Sequence, residues 1–168
     1  MTAKAATIKE TVSAAVAIGP AAVQSSTDAI HLSGSDHGDV LVGTAGNDLM
    51  NGGPGDDILT GGVGADILRG GLGADHFVYT ALADSTVAVA GQDVITDFSH
   101  AQGDLIDLSA ISPDFALVAV FTHHADQLIE LARPGGFLIQ GDVNGDGRPD
   151  FAIFVDGTTP LVQSDLIL

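Results

Sequence analysis

The chain has 168 residues, enough for one domain with a modest core, and a formal charge of −17 from 22 acids against 5 bases. That charge argues against a nucleic-acid partner and against insertion into or binding to an anionic membrane. There is no cysteine, which excludes disulfides and thiolate metal sites, and no apolar run reaches the ~18 residues needed to span a bilayer.

The kind of acid says more than the total. Only Glu10 and Glu130 are Glu; the other 20 acids are Asp. A short carboxylate suits tight turns and oxygen-rich cation sites. Of the 22 Gly, 13 fall within residues 34–78. The Asp and Gly signals therefore share one segment.

Residues 1–30 are expected to be a flexible leader. Lys4 and Lys9 precede an Ala/Val-rich stretch, which loosely resembles a secretory signal. Glu10 and the Gly19-Pro20 pair break that pattern, and no clear cleavage site follows.

Residues 31–80 carry an internal repeat. Asp39, Asp48, Asp57, Asp66 and Asp75 are spaced nine apart without a slip. Two residues after each comes a large apolar residue: Leu41, Met50, Leu59, Leu68 or Phe77. The units read GTAGNDLMN, GGPGDDILT, GGVGADILR and GGLGADHFV, after a degenerate GSDHGDVLV. They fit the pattern G-G-x-G-x-D-x-U-x of a calcium-binding parallel β-roll. A disordered Gly-rich acidic linker would share the composition, but it has no reason to keep the period or the apolar eighth position.

Each position has a physical role. The glycines allow positive φ and close approach of neighbouring turns. The last three residues form a short strand whose middle side chain faces inward. Two units make one turn of the coil, so loop n stacks on loop n+2. Calcium takes six to eight oxygens, from carboxylates and backbone carbonyls. The expected ligands are Asp39, Gly46, Asp48, Gly53, Gly55, Asp57, Gly62, Gly64, Asp66, Gly71, Gly73 and Asp75. The stacked pairs Asp39 with Asp57, Asp48 with Asp66 and Asp57 with Asp75 give about three Ca2+ sites in the roll.

Residues 81–168 are left to cap the open end of the solenoid. Val94, Ile95, Phe98, Leu105, Ile106 and Leu108 supply strand-forming apolar content. His123-His124 are adjacent, so on a strand they face opposite ways and read as solvated residues. In DVNGDGRPD, Asp142, Asn144, Asp146 and Asp150 match the start of an EF-hand loop, but Ile153 stands where the closing Glu belongs. The flanks look like strands. Two readings stay open: a hairpin loop holding a weak calcium, or an ordinary Asx-rich turn. The final Asp165-Leu166-Ile167-Leu168 reads either as an export signal or as an edge strand.

The repeats resemble those of the repeats-in-toxin (RTX) family. Three further pieces resemble the C-terminal domain of serralysin-type metalloproteases: Asp75-His76-Phe77-Val78-Tyr79, Asp93-Val94-Ile95-Thr96-Asp97-Phe98 and Gly103-Asp104-Leu105-Ile106-Asp107-Leu108-Ser109. That resemblance implies an all-β fold, a right-handed parallel β-roll with an antiparallel β cap at its C-terminal side. It also implies calcium in the turns and export by a type I ABC secretion apparatus that reads an uncleaved C-terminal signal. It further implies that Asp97 and Asp104 complete a site beside the last repeat; as residues alone they are turn formers.

The zinc motif His-Glu-x-x-His of such proteases is absent, and so is a Gly-x-Ser-x-Gly elbow. No catalytic constellation remains, so the chain is not expected to be an enzyme. It is expected to be a free-standing, secreted calcium module, with a separately encoded enzyme as a possible partner. The alternative is a carbohydrate- or surface-binding protein, or an enzyme-accessory protein, that uses the roll as a scaffold.

Overall fold

The computed structural model describes residues 27–168. Most of the expected leader, residues 1–26 and with them the signal-like stretch, lies outside the described residues.

Each repeat ends in a short strand: β1 (His31–Ser33), β2 (Val40–Val42), β3 (Leu49–Pro54), β4 (Ile58–Thr60), β5 (Ile67–Leu72) and β6 (His76–Val78). Alternate strands stack in parallel, two units apart, as the period requires. Odd strands build one sheet and even strands the other. The register is in phase, with Leu41 on Leu59 on Phe77, and Leu32 on Met50 on Leu68. Flanking residues such as Val40 and Val42 point to solvent, while the middle residues are buried. Two apolar ladders thus face each other inside the roll.

The parallel stack runs past residue 80. Strands β7 (Asp93–Ile95) and β8 (Leu105–Asp107) add one strand to each sheet. Ile95 extends the first ladder above Leu68, and Ile106 extends the second above Phe77. Short β9 (Ala116–Leu117) follows, then β10 (Gln127–Arg133), β11 (Gly136–Asp142) and β12 (Phe151–Asp156). The last three are antiparallel neighbours and form the expected cap. Strand β12 joins the cap to the roll by pairing in parallel with β7, which places Val155 over Ile95. Finally β13 (Leu166–Ile167) returns to the roll and pairs with β8, Leu166 over Ile106. In the fold the tail is thus an edge strand of the second sheet.

The cap has its own packing. Phe115 meets Phe151 edge-on at 5.9 Å, within a cluster that includes Leu128, Ile139, Ile153 and Leu161. That cluster is continuous with the roll ladders. A gap in a ladder closes only in part, because the backbone of every rung is fixed by strands above and below. Leu68→Ala is therefore expected to cost about 2–5 kcal/mol, measured by chemical denaturation in calcium.

Candidate metal centre

The turns between strands form two stacks. One contains residues 34–39, 52–57, 70–75 and 97–104. The other contains residues 43–48, 61–66 and 79–93. In both, the sixth-position Asp links one turn to the next through its Oδ1. In the first stack Asp57 accepts the Asp39 N–H at 2.8 Å, Asp75 accepts that of Asp57 at 2.9 Å, and Asp104 accepts that of Asp75 at 3.1 Å. In the second, Asp48 accepts the Ile30 N–H at 2.8 Å, Asp66 accepts that of Asp48 at 2.8 Å, and Asp93 accepts that of Asp66 at 2.9 Å. The three Asp pairs read from the period are all stacked neighbours.

The second oxygen, Oδ2, divides the units into two kinds. Where position two is Ser35 or Thr44, the carboxylate turns back on its own loop. Asp39 Oδ2 accepts the Ser35 N–H and hydroxyl, and Asp48 Oδ2 accepts the same groups of Thr44. Those bonds to Ser35 hold the Asp39 carboxyl below the usual carboxylate range. Where position two is glycine, the hydroxyl donor is gone, and the turn takes a positive φ in which no N–H reaches the carboxylate of its own unit. The Oδ2 atoms of Asp57, Asp66 and Asp75 are buried and accept no hydrogen bond. Burial raises the Asp57 carboxyl, and pushes those of Asp66 and Asp75 up to about 6.

Position two also sets the backbone. Gly53, Gly62 and Gly71 have φ of 109°, 95° and 114°, which side-chain-bearing residues rarely adopt. That conformation brings each against a carbonyl of the turn below, from Ser35, Thr44 or Gly53. At position four, Gly55, Gly64 and Gly73 likewise lie on the backbone of His37, Gly46 and Gly55, while Gly46 lies on that of Asp28. The expected glycine ligands thus line stacked, carbonyl-rich turns.

These turns fit calcium. A buried carboxylate oxygen with no donor is costly unless a cation or proton meets it. Among the described residues no three His, Cys, Asp or Glu side chains converge on one point. A metal here would take many of its oxygens from backbone carbonyls, as a hard cation accepts.

The turns above the last repeat differ. Asp97 accepts the N–H of Gly70 at 2.9 Å and of Gly71 at 3.0 Å, and pairs with exposed Arg69 at 3.2 Å. Asp104 Oδ2 accepts the Ser99 N–H at 2.9 Å. Gln102 spans the same gap, accepting from Gly73 and donating to the Gly71 carbonyl. Asp97 and Asp104 do sit beside the last repeat, but backbone N–H groups already engage both carboxylates.

Asp93 is the residue that sequence reasoning missed. It is fully buried, it caps the second stack, and its carboxylate faces the buried Tyr79 hydroxyl, which donates to it. Two signals were available. Asp93-Val94-Ile95 repeats the Asp-x-apolar pattern, and residue 93 lies 18 beyond Asp75, still in the nine-residue register.

In the acidic hairpin loop between β11 and β12, Asp142 accepts the N–H groups of Gly145 and Gly147. Asp150 accepts those of Val143 and Asn144, and Asp146 that of Arg148. The Asn144 side chain accepts the Asp146 N–H and donates to Asp150. This loop satisfies its own acids, and strands flank it, as expected.

Comparison with known proteins follows the same lines. The family model for the RTX calcium-binding nonapeptide repeat (4 copies) matches residues 33–68 and again residues 42–77. Among curated proteins none matches the chain. Two similar solved structures are subunits of a mannuronan C5-epimerase from Azotobacter vinelandii. The AlgE6R2 subunit is 26% identical, with a TM-score of 0.57 over 81% of this chain and 91% of that one. The AlgE6R3 subunit is 24% identical and shares the fold, with a TM-score of 0.64 over 89% of this chain and 86% of that one.

Proposed function

Because residues 33–77 are RTX calcium-binding nonapeptide repeats, we propose that this chain is a module whose folding waits for calcium and which leaves the cell unfolded, through a type I ABC apparatus, for the extracellular space. One observation carries the calcium half: the buried, partnerless Oδ2 atoms of Asp57, Asp66 and Asp75. Calcium supplies the positive charge and open coordination that these oxygens lack. The residues do the rest. Glycine at position two removes the competing hydroxyl, and the Oδ1 ladder holds each carboxylate at the seam between two turns. The pairs Asp39/Asp57, Asp48/Asp66 and Asp57/Asp75 give about three sites in the repeats.

The export half rests on charge and on the tail. At low calcium a chain of −17 with crowded acidic turns repels itself and stays loose. A loose chain can be threaded. It also exposes Leu166, Ile167 and Leu168, which in the fold are covered by pairing with β8 and by packing on the core. Extracellular calcium modules commonly bind at about 10⁻⁴–10⁻³ M, so the roll would close only after exit. Among the described residues no helix is long and apolar enough to cross a membrane.

The test is export itself. The chain is co-expressed with a type I ABC exporter, with and without replacement of Leu166, Ile167 and Leu168 by Ser. Loss of the substituted chain from the medium, with the cytoplasmic level kept, is the expected result. Equal export of both overturns the role of the tail.

A second reading draws on the likeness to subunits of a mannuronan C5-epimerase. In it the roll is an accessory surface for a separately encoded enzyme. Its discriminating observable is retention on immobilised mannuronan in calcium. With Arg69 the sole base of the repeats, the surface offers little to hold a polyanion.

A further inference from the structure

The end of the chain lies on the fold as a short strap. It leaves β12 through residues 157–160, all exposed, and passes through a single turn of 3-10 helix (Gln163–Asp165) into β13. That strand is two residues long and forms the edge of its sheet. Yet Leu161, Asp165 and Leu166 are buried. Strand pairing alone is a small hold for so covered a segment.

The rest of the hold is a cluster of three ionisable side chains from three parts of the fold. His100 comes from the turn between β7 and β8, Glu130 from β10 of the cap, and Asp165 from the strap itself. His100 Nδ1 meets Asp165 Oδ1 at 2.8 Å, and Asp165 Oδ2 accepts the Val162 N–H at 2.6 Å. Glu130 accepts the Leu161 N–H at 2.9 Å. Phe98 packs edge-on against the His100 ring, with centroids 5.6 Å apart, and fixes its orientation. The bond to Asp165 raises the His100 imidazole, so the ring favours its charged form. Burial raises the Glu130 carboxyl; Asp165 adds to that rise and His100 opposes it. The other acid that His100 acts on is Asp104. Among the described residues His100 is the one base that pairs with Asp165. Without it a buried carboxylate would face Glu130 with its charge uncompensated.

We infer that residues 161–168 form a strap that closes over the finished roll, that the His100–Asp165 ion pair is its fastener, and that the strap opens while the strands beneath it stay folded. It contains none of the nine-residue units, and its strand is added outside β8, so its release removes no turn from either stack. Opening such an edge needs less free energy than unfolding the whole domain. It uncovers Leu166, Ile167 and Leu168, the residues that the export reading uses, but the strap stands whether or not an exporter reads them.

Hydrogen exchange of the full chain in calcium, read by mass spectrometry of its peptides, is the test. In the wild type the peptide covering residues 161–168 should exchange well before those covering β5 and β7. Exchange of all of them together overturns the strap, and that result needs no variant. His100→Gln and Asp165→Asn should each speed exchange of residues 161–168 about tenfold or more, with β5 and β7 unchanged. Combined, the two substitutions should do little more than either alone, because both break the same bond. Unchanged protection of the strap in both variants, or effects that multiply in the double variant, overturns the fastener. Loss of protection in β5 and β7 together with the strap, in both variants, overturns separate opening. Each of these outcomes is independent of export, which is read from the medium.

Discussion

Excess EDTA is expected to abolish most of the β circular dichroism of this chain, and calcium to restore it. Each site that binds only the folded state contributes about 2.7 kcal/mol at a hundredfold excess over its Kd. Three such sites contribute about 8 kcal/mol, as much as the whole stability of a typical domain. Nothing else in the roll replaces that term. Each repeat strand offers one buried side chain, flanked by exposed ones such as Val40, Val42 and Ile67. The core is therefore a single file of residues on each side, and no disulfide ties the turns. Without a cation, partnerless oxygens stay buried at Asp57, Asp66 and Asp75. Equal β content in calcium and in EDTA, in a chain shown by mass to have lost its metal, would refute this account.

Much of that roll was legible beforehand because it is periodic. A nine-residue repeat places Asp57 against Asp39 and Leu59 against Leu41, whatever the rest of the chain does. Local flanks likewise announced the β11–β12 hairpin and excluded an EF-hand. What was hidden depends on one residue or on long range. The register marks Asp39, Asp48 and Asp57 alike, yet Ser35 and Thr44 quench the first two carboxylates and glycine leaves the third open. Asp84 and Asp93 both keep the nine-residue spacing. The structure puts only Asp93 on the ladder, because residues 79–92 leave the coil as one long turn clamped by Ser85 and β12. His100 meeting Asp165 at 2.8 Å, 65 positions away, is visible only once the chain is folded.

The same buried carboxyls make acid act in opposite directions on the metal-free and metal-loaded chains. In the metal-free fold, burial pushes Asp66 and Asp75 to about 6 and Asp93 to about 8, against 3.8 for an ordinary Asp. The folded state therefore keeps protons that the unfolded chain releases, and stability falls as pH rises between those values. For Asp66 and Asp75 the loss runs from about pH 4 to 6, and for Asp93 it continues to about 8. Asp39, whose carboxyl is lowered by Ser35, acts in the other direction, but only near the bottom of this range. In EDTA the chain should thus show more β structure at about pH 5 than at about pH 7.5. With calcium the sign reverses, because protons compete for the oxygens that must be ionised to bind metal. The calcium concentration at the folding midpoint should rise on going from about pH 7.5 to about pH 5. A midpoint that falls on acidification, or a metal-free chain whose β content is indifferent to pH, would show that these carboxyls are not where the folding decision is made.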